Sequence, residues 1–244
     1  NKTVNESILF IKQFKKLIKN IKNVDIVICP PFTALHTLPE QLKNTNIKLG
    51  AQNMHFDDAG AYTGEVSPLM LKEVGCEYVI LGHSERREIF GEDDFLINKK
   101  VIAALKHNLK PILCIGENLE QRKSGKTKEV IGNQLKNCIK SISKNQIIKI
   151  NIAYEPVWAI SKGDPQHKAA AAQDAEEMHK FMRGIIAKMY DNNTAKNIRI
   201  IYGASMKPEN AKELLAMPNI DGGLIGNASL NAKSFAKIIK AAKA

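Results

Sequence analysis

The chain has 244 residues, 44% hydrophobic and 25% charged, with a net charge of +11. This is an ordinary globular composition that can bury a sizeable core. No apolar run reaches the roughly 20 residues of a membrane helix. Asn1 to Glu6 also lacks the apolar stretch of a signal peptide, so a cytoplasmic protein with no membrane partner is expected.

The excess charge is mostly lysine scattered over helix faces, as at Lys99-Lys100, without the arginine and aromatic clusters of a base-reading surface. No nucleic-acid partner is expected. Cys29, Cys76, Cys114 and Cys138 show no metal-ligand spacing, and Cys29 and Cys114 sit in apolar runs. They read as buried free thiols of a reducing compartment, and no metal site is predicted.

The first predicted element is a helix from Val4 to Ile21. Thr3 and Glu6 fit a capping box, and Ile8, Ile11, Phe14, Leu17 and Ile18 recur at helical spacing. Seven apolar runs follow, at Val24 to Cys29, Ile47 to Ala51, Tyr78 to Gly82, Pro111 to Ile115, Ile148 to Tyr154, Ile198 to Tyr202 and Gly222 to Ile225. Nearly continuous apolar strands suggest a parallel sheet buried on both faces. Each is followed by a helical pattern, the last being Ala232 to Ala242. The alternation predicts an α/β fold, either an open doubly wound sheet or a closed barrel. No Gly-x-Gly-x-x-Gly turn follows the first strand, and no linker divides the chain, so one domain over 1–244 is predicted. A (β/α)₈ barrel begins with a strand, whereas this chain begins with a helix; on that reading its first strand is absent.

Four segments carry chemistry. Leu81-Gly82-His83-Ser84-Glu85-Arg86-Arg87 lies where a buried strand gives way to a helix. An imidazole there can polarise a carbonyl while the helix N-terminus keeps it neutral; the segment also reads as a helix cap with surface arginines. Ala153-Tyr154-Glu155-Pro156-Val157-Trp158 ends an apolar strand in a carboxylate. Desolvation strengthens such a base; alone, Glu155 also reads as a strand-end carboxylate paired with a surface lysine. The only tryptophan, Trp158, stands at the root of a long loop, where a rigid aromatic can anchor a hinged lid. Tyr202-Gly203-Ala204-Ser205 and Gly222-Gly223-Leu224-Ile225-Gly226-Asn227-Ala228-Ser229 follow the last two strands, where barrels frequently bind phosphate on backbone N–H groups. Each alone also reads as a tight turn.

Together these segments, with Gly50-Ala51-Gln52-Asn53, Gly60 to Ser67 and Cys114-Ile115-Gly116-Glu117, resemble the triosephosphate isomerase family in order and spacing over nearly the whole chain. The resemblance implies a TIM barrel that interconverts dihydroxyacetone phosphate and D-glyceraldehyde 3-phosphate, by proton transfer through an enediolate, without a cofactor. The acid–base roles known in this family are carried over here by motif. Glu155 matches the base, His83 the neutral electrophile and Glu85 the carboxylate beside the site. Ser161, Ser205, Gly226 and Asn227 match the residues at the substrate phosphate. Thr63 and Glu65 match the loop that enters a neighbouring subunit, which implies a homodimer.

Three departures accompany the resemblance. The family's first strand ends in Asn-x-Lys, with an active-site lysine; Asn1-Lys2-Thr3 matches the residues after that motif, so Lys2 is not that lysine. The lid, Ile160 to Lys168, is longer by roughly four residues, within the tolerance of a surface loop. Asn227 stands where a second glycine is common. The lysine and lid departures motivate an alternative expectation, a weakly active or inactive phosphate-binding protein on the same scaffold.

Overall fold

The computed structural model describes residues 1–160 and 170–242. Its first element is helix α1 (Val4–Ile18), and the capping box expected from the sequence is formed. The Glu6 N–H donates to Thr3 Oγ1, and Glu6 Oε2 accepts from the Thr3 N–H at 2.7 Å. Ile11, Phe14 and Ile18 form its buried stripe. The helix stops three residues before the predicted end; Ile21 N–H bonds back to the Ile18 carbonyl in a tighter turn and its side chain is still buried.

Among the described residues six strands follow: β1 (Ile26–Ile28), β2 (Ile47–Ala51), β3 (Tyr78–Leu81), β4 (Lys110–Ile115), β5 (Asn151–Tyr154) and β6 (Arg199–Tyr202). They pair in sequence order, all parallel. The seventh predicted strand is reduced to one parallel bridge between Gly223 and Tyr202. The run from Ile148 is also shorter than expected. Ser143 and Gln146 form a capping box on a short helix, Lys144–Ile147, which delays the strand to Asn151.

The period-two alternation divides the strands between two cores. Val79, Leu81, Leu113, Ile115, Ile152, Tyr154, Ile200 and Tyr202 join the large cluster shared with the helices. Tyr78, Ile112, Cys114 and Ala153 form a second cluster, with Val27, Ile80, Ile201 and Leu224 against it. Two packed faces explain why the strands read as continuous apolar runs. The arrangement is that of an α/β barrel, a parallel sheet curled around its own inner layer with helices outside.

The helices that matter to the site are α2 (Ser84–Phe90), α3 (Asp94–Lys106), α4 (Leu119–Lys123), α5 (Thr127–Cys138), α6 (Ala172–Met189) and α7 (Ala232–Ala241). Helix α7 returns to α1, where the Phe14 and Phe235 rings stack at 4.9 Å. All four cysteines are free; Cys76, Cys114 and Cys138 are buried and Cys29 is partly exposed. Among the described residues no helix is long and apolar enough to cross a membrane.

Candidate active site

Parallel strands bring every strand C-terminus to one edge of the sheet. Glu155 is the first residue after β5, two positions beyond inward-facing Ala153, so alternation aims it inward. The register pairs Ile115 with Tyr154 and Tyr154 with Tyr202, which places Gly116 and Gly203 on either side of Glu155. Both neighbours are glycine for a physical reason. A Cβ on Gly116 would stand 1.7 Å from the Glu155 carbonyl oxygen, and one on Gly203 would stand 2.8 Å from Glu155 Cγ.

Glu155 is 1% exposed. Its Oε2 accepts from the Ser84 N–H at 2.9 Å. Its Oε1 stands 3.2 Å from His83 Nε2, but the two are not aligned as a hydrogen bond, and Oε1 has no hydrogen-bond partner. One buried acceptor is therefore held while the other is left open. Burial raises the carboxyl above the ordinary carboxylate range; His83, the Ser84 N–H, the Cys114 thiol and Arg87 pull it part of the way back. The result is a carboxylate made more basic by desolvation.

His83 is the N-cap of α2, following Gly82, whose φ of +72° turns the chain from strand to helix. The His83 Nδ1 accepts from the Glu85 N–H at 3.3 Å. With Nδ1 an acceptor, the ring is the neutral tautomer carrying its proton on Nε2, the nitrogen facing Glu155. Glu85 is brought to the same cap, yet its side chain is largely exposed, and Oε2 lies 3.8 Å from His83 Nδ1. Arg87 fastens α2 down from below, donating to the Gly82 and Cys114 carbonyls and pairing with Asp94 at 2.7 Å.

Ser205 lies on the loop after β6; its Oγ is buried without a partner, and its N–H reaches the Ala159 carbonyl at 3.4 Å. Gly226 and Asn227 are exposed at the start of a short 3₁₀ turn, Asn227–Leu230. Ser161 lies outside the described residues. Thr63 and Glu65 are exposed on a different loop, closed by the His55 N–H bonding the Val66 carbonyl and braced by Tyr62 Oη donating to Asp57. Lys2 lies at the start of α1, its Nζ 5.5 Å from the Phe10 ring.

The family profile for triosephosphate isomerase matches residues 1–242. The chain belongs to the triosephosphate isomerase family. The triosephosphate isomerase of Finegoldia magna is 51% identical over 244 residues, all of this chain and 95% of that protein. The one from Dictyoglomus turgidum is 49% identical over 239 residues, 98% of this chain and 94% of that protein. The crystal structure of triosephosphate isomerase from Bartonella henselae superposes with a TM-score of 0.89 at 38% identity, covering 100% of this chain and 95% of that one.

Sequence reasoning singled out His83, Glu155 and Ser205, of which the fold brings His83 and Glu155 together, but it gave no role to their supports. Ser84 contributes only its backbone N–H, so its side-chain type carries no signal. Glu117 stood in a matched segment without a role. It is fully buried and accepts from Trp158 Nε1 at 2.8 Å and from Tyr154 Oη. An acidic residue two positions past a buried strand, at the C-terminal edge of a parallel sheet, is a signal that could have found it.

Proposed function

We propose that this protein interconverts dihydroxyacetone phosphate and D-glyceraldehyde 3-phosphate, a step shared by glycolysis and gluconeogenesis. The observation that carries the reading is the buried Glu155 carboxylate, with one oxygen held by Ser84 N–H and the other open beside His83 Nε2. Glu155 removes a proton from one substrate carbon and returns it to the other. As negative charge develops on the substrate oxygens, the His83 Nε2–H faces it as a pre-set donor, an arrangement that stabilises an enediolate. Glu85, at the same cap, orients the electrophile's surroundings. The chemistry needs no cofactor, because both proton transfers run through one carboxylate.

Ser205, Gly226 and Asn227 form the phosphate side; Ser161, which the family resemblance adds to this set, lies outside the described residues. Small residues and a 3₁₀ turn let backbone N–H groups approach an anion closely. The unpartnered Ser205 Oγ supports this reading.

The protein acts as a cytoplasmic homodimer. Thr63 and Glu65 project from an exposed loop, and exposed Phe95 lies beside that loop, since Lys99 caps both the Phe95 and Phe56 rings. An apolar patch of this kind marks a protein contact. Size-exclusion chromatography with light scattering tests it: Thr63→Arg is expected to shift a dimer to monomer.

The decisive experiment is a coupled isomerase assay in both directions, with Glu155→Gln as control. Turnover by the wild-type protein that is lost in the variant supports the reading. Binding of triose phosphate without turnover would support the alternative of a phosphate-binding protein.

A further inference from the structure

Glu155 is held in the chain between Tyr154 and Trp158, and both of those side chains end on one buried carboxylate. Glu117 accepts from Tyr154 Oη at 3.1 Å and from Trp158 Nε1 at 2.8 Å, while its backbone carbonyl accepts from the Val157 N–H. The base is therefore bracketed on both sides by residues anchored to Glu117. Two donors converge on the carboxylate and a third on the backbone carbonyl of a residue with no exposed surface. A buried carboxylate keeps its charge only when that charge is balanced.

Among the described residues, one cation lies within ion-pair distance of Glu117, and it is Arg122, whose Nη1 stands 3.7 Å from Glu117 Oε1. Arg122 belongs to α4, started by a capping box between Asn118 and Gln121, so its backbone is fixed relative to Glu117. The guanidinium carbon stands 4.1 Å from the Trp158 ring centroid, and Nη2 pairs with Asp174 Oδ2 at 3.2 Å. Asp174 is in the first turn of α6. One side chain thus touches the acceptor, the face of the indole that bonds it, and the helix beyond.

We propose that Arg122 is a positioning residue for the Glu155 base, balancing the buried charge of Glu117 and holding Trp158 flat, so that the Tyr154–Trp158 segment is anchored at both ends. This rests on the reading of Glu155 as the base. If Arg122 is lost, the face of the indole is uncovered, and the Glu117 carboxylate that accepts from Tyr154 Oη and Trp158 Nε1 loses the cation 3.7 Å away. The segment between them then loses an anchor. A displacement of about 1 Å at a catalytic group can cost on the order of 100-fold in rate. Lysine restores the charge but neither the planar stack nor the fork.

The test compares Arg122→Met, Arg122→Lys and Glu117→Gln with wild type. Steady-state kinetics are measured with thermal unfolding and with the emission of Trp158, the only tryptophan. Arg122→Met is expected to lower kcat by roughly 10- to 100-fold with KM changed less than about threefold. Its Trp158 emission should shift from that of wild type in parallel with the loss of kcat. Arg122→Lys should recover part of kcat and part of the wild-type emission. In the Glu117→Gln background, adding Arg122→Met should cost much less than it does alone. Wild-type kcat in Arg122→Met overturns the proposal, as does a kcat loss with unchanged emission. Full turnover in Glu155→Gln would instead overturn the base assignment, and the emission comparison would still decide the Arg122–Glu117–Trp158 linkage.

Discussion

Gly116 and Glu155 each directly follow the last paired residues of β4 and β5, so close that a methyl on Gly116 would meet the Glu155 carbonyl oxygen at 1.7 Å. Both partners are backbone, so no rotamer change relieves the clash. Gly116→Ala is expected to destabilise the fold by about 3 kcal/mol, the upper end of overpacking costs, and to cut kcat. Gly203→Ala would press on the Glu155 side chain, at 2.8 Å from Cγ, and approach the Tyr154 carbonyl oxygen at 3.1 Å. It is expected to cost about 1 kcal/mol of stability and a proportionally larger share of kcat. Denaturant unfolding with the isomerase assay separates the two.

Glu155→Gln is expected to lower kcat by roughly 1,000-fold, within the range of positioned general bases. It should also raise, not lower, the melting temperature at neutral pH. The Glu155 carboxyl is raised in the folded state, chiefly by burial, so the folded protein binds this proton more tightly than the unfolded chain does. Its favourable contribution is present below the ordinary carboxylate range and is lost as pH rises through the raised value. Glutamine removes that loss. In wild type, kcat/KM should climb with pH through the same raised value and then level, a profile measurable between pH 4 and 8.

Acid sensitivity should arise at His179. Its ring is buried edge-on to Tyr154 and beside Tyr202, with Nδ1 3.3 Å from the Asn219 carbonyl oxygen. Burial lowers its pKa from 6.5 to about 4. The unfolded chain binds this proton first as pH falls, so stability is full above about 6.5 and declines toward 4. The loss is on the order of 3 kcal/mol. His179→Gln should flatten stability against pH over that window, measured by denaturant midpoints.

Lys100 forms a buried ion pair with Glu92 at 2.5 Å and also donates to Asn53 Oδ1. Glu92 Oε2 already has no partner, and Arg86 shares Oε1. Lys100→Met should destabilise by about 3 kcal/mol, the low end for stranding a buried charge, because Arg86 remains. Lys100→Met with Glu92→Gln should recover much of that loss in equilibrium unfolding.

The α/β class, the helical start at Thr3 and the positions of His83 and Glu155 were all legible in the sequence, because apolar periodicity and strand-end placement are local properties. Helix and strand ends were less so. Ile148 belongs by composition to a strand, yet Ser143 and Gln146 cap a short helix that holds it outside, half exposed. The last run, Gly222 to Ile225, is apolar enough for a strand, but only Gly223 pairs. Least legible were the groups that act on Glu155 without contacting one another in sequence. The Ser84 N–H has no side-chain signature, and the Arg122 contact with Trp158 depends on how α4 meets the turn after β5.

The hydrogen bond from Ser84 to Glu155 joins residues 71 positions apart. Neither end of the chain can assemble this centre alone, and no single strand–helix unit contains both halves of it. Catalytic activity is therefore a gauge of global cooperativity. During refolding, turnover should return only with the slowest phase that closes long-range contacts, after helix content has recovered. During unfolding, it should vanish with or before the main transition, so an active fragment is not expected.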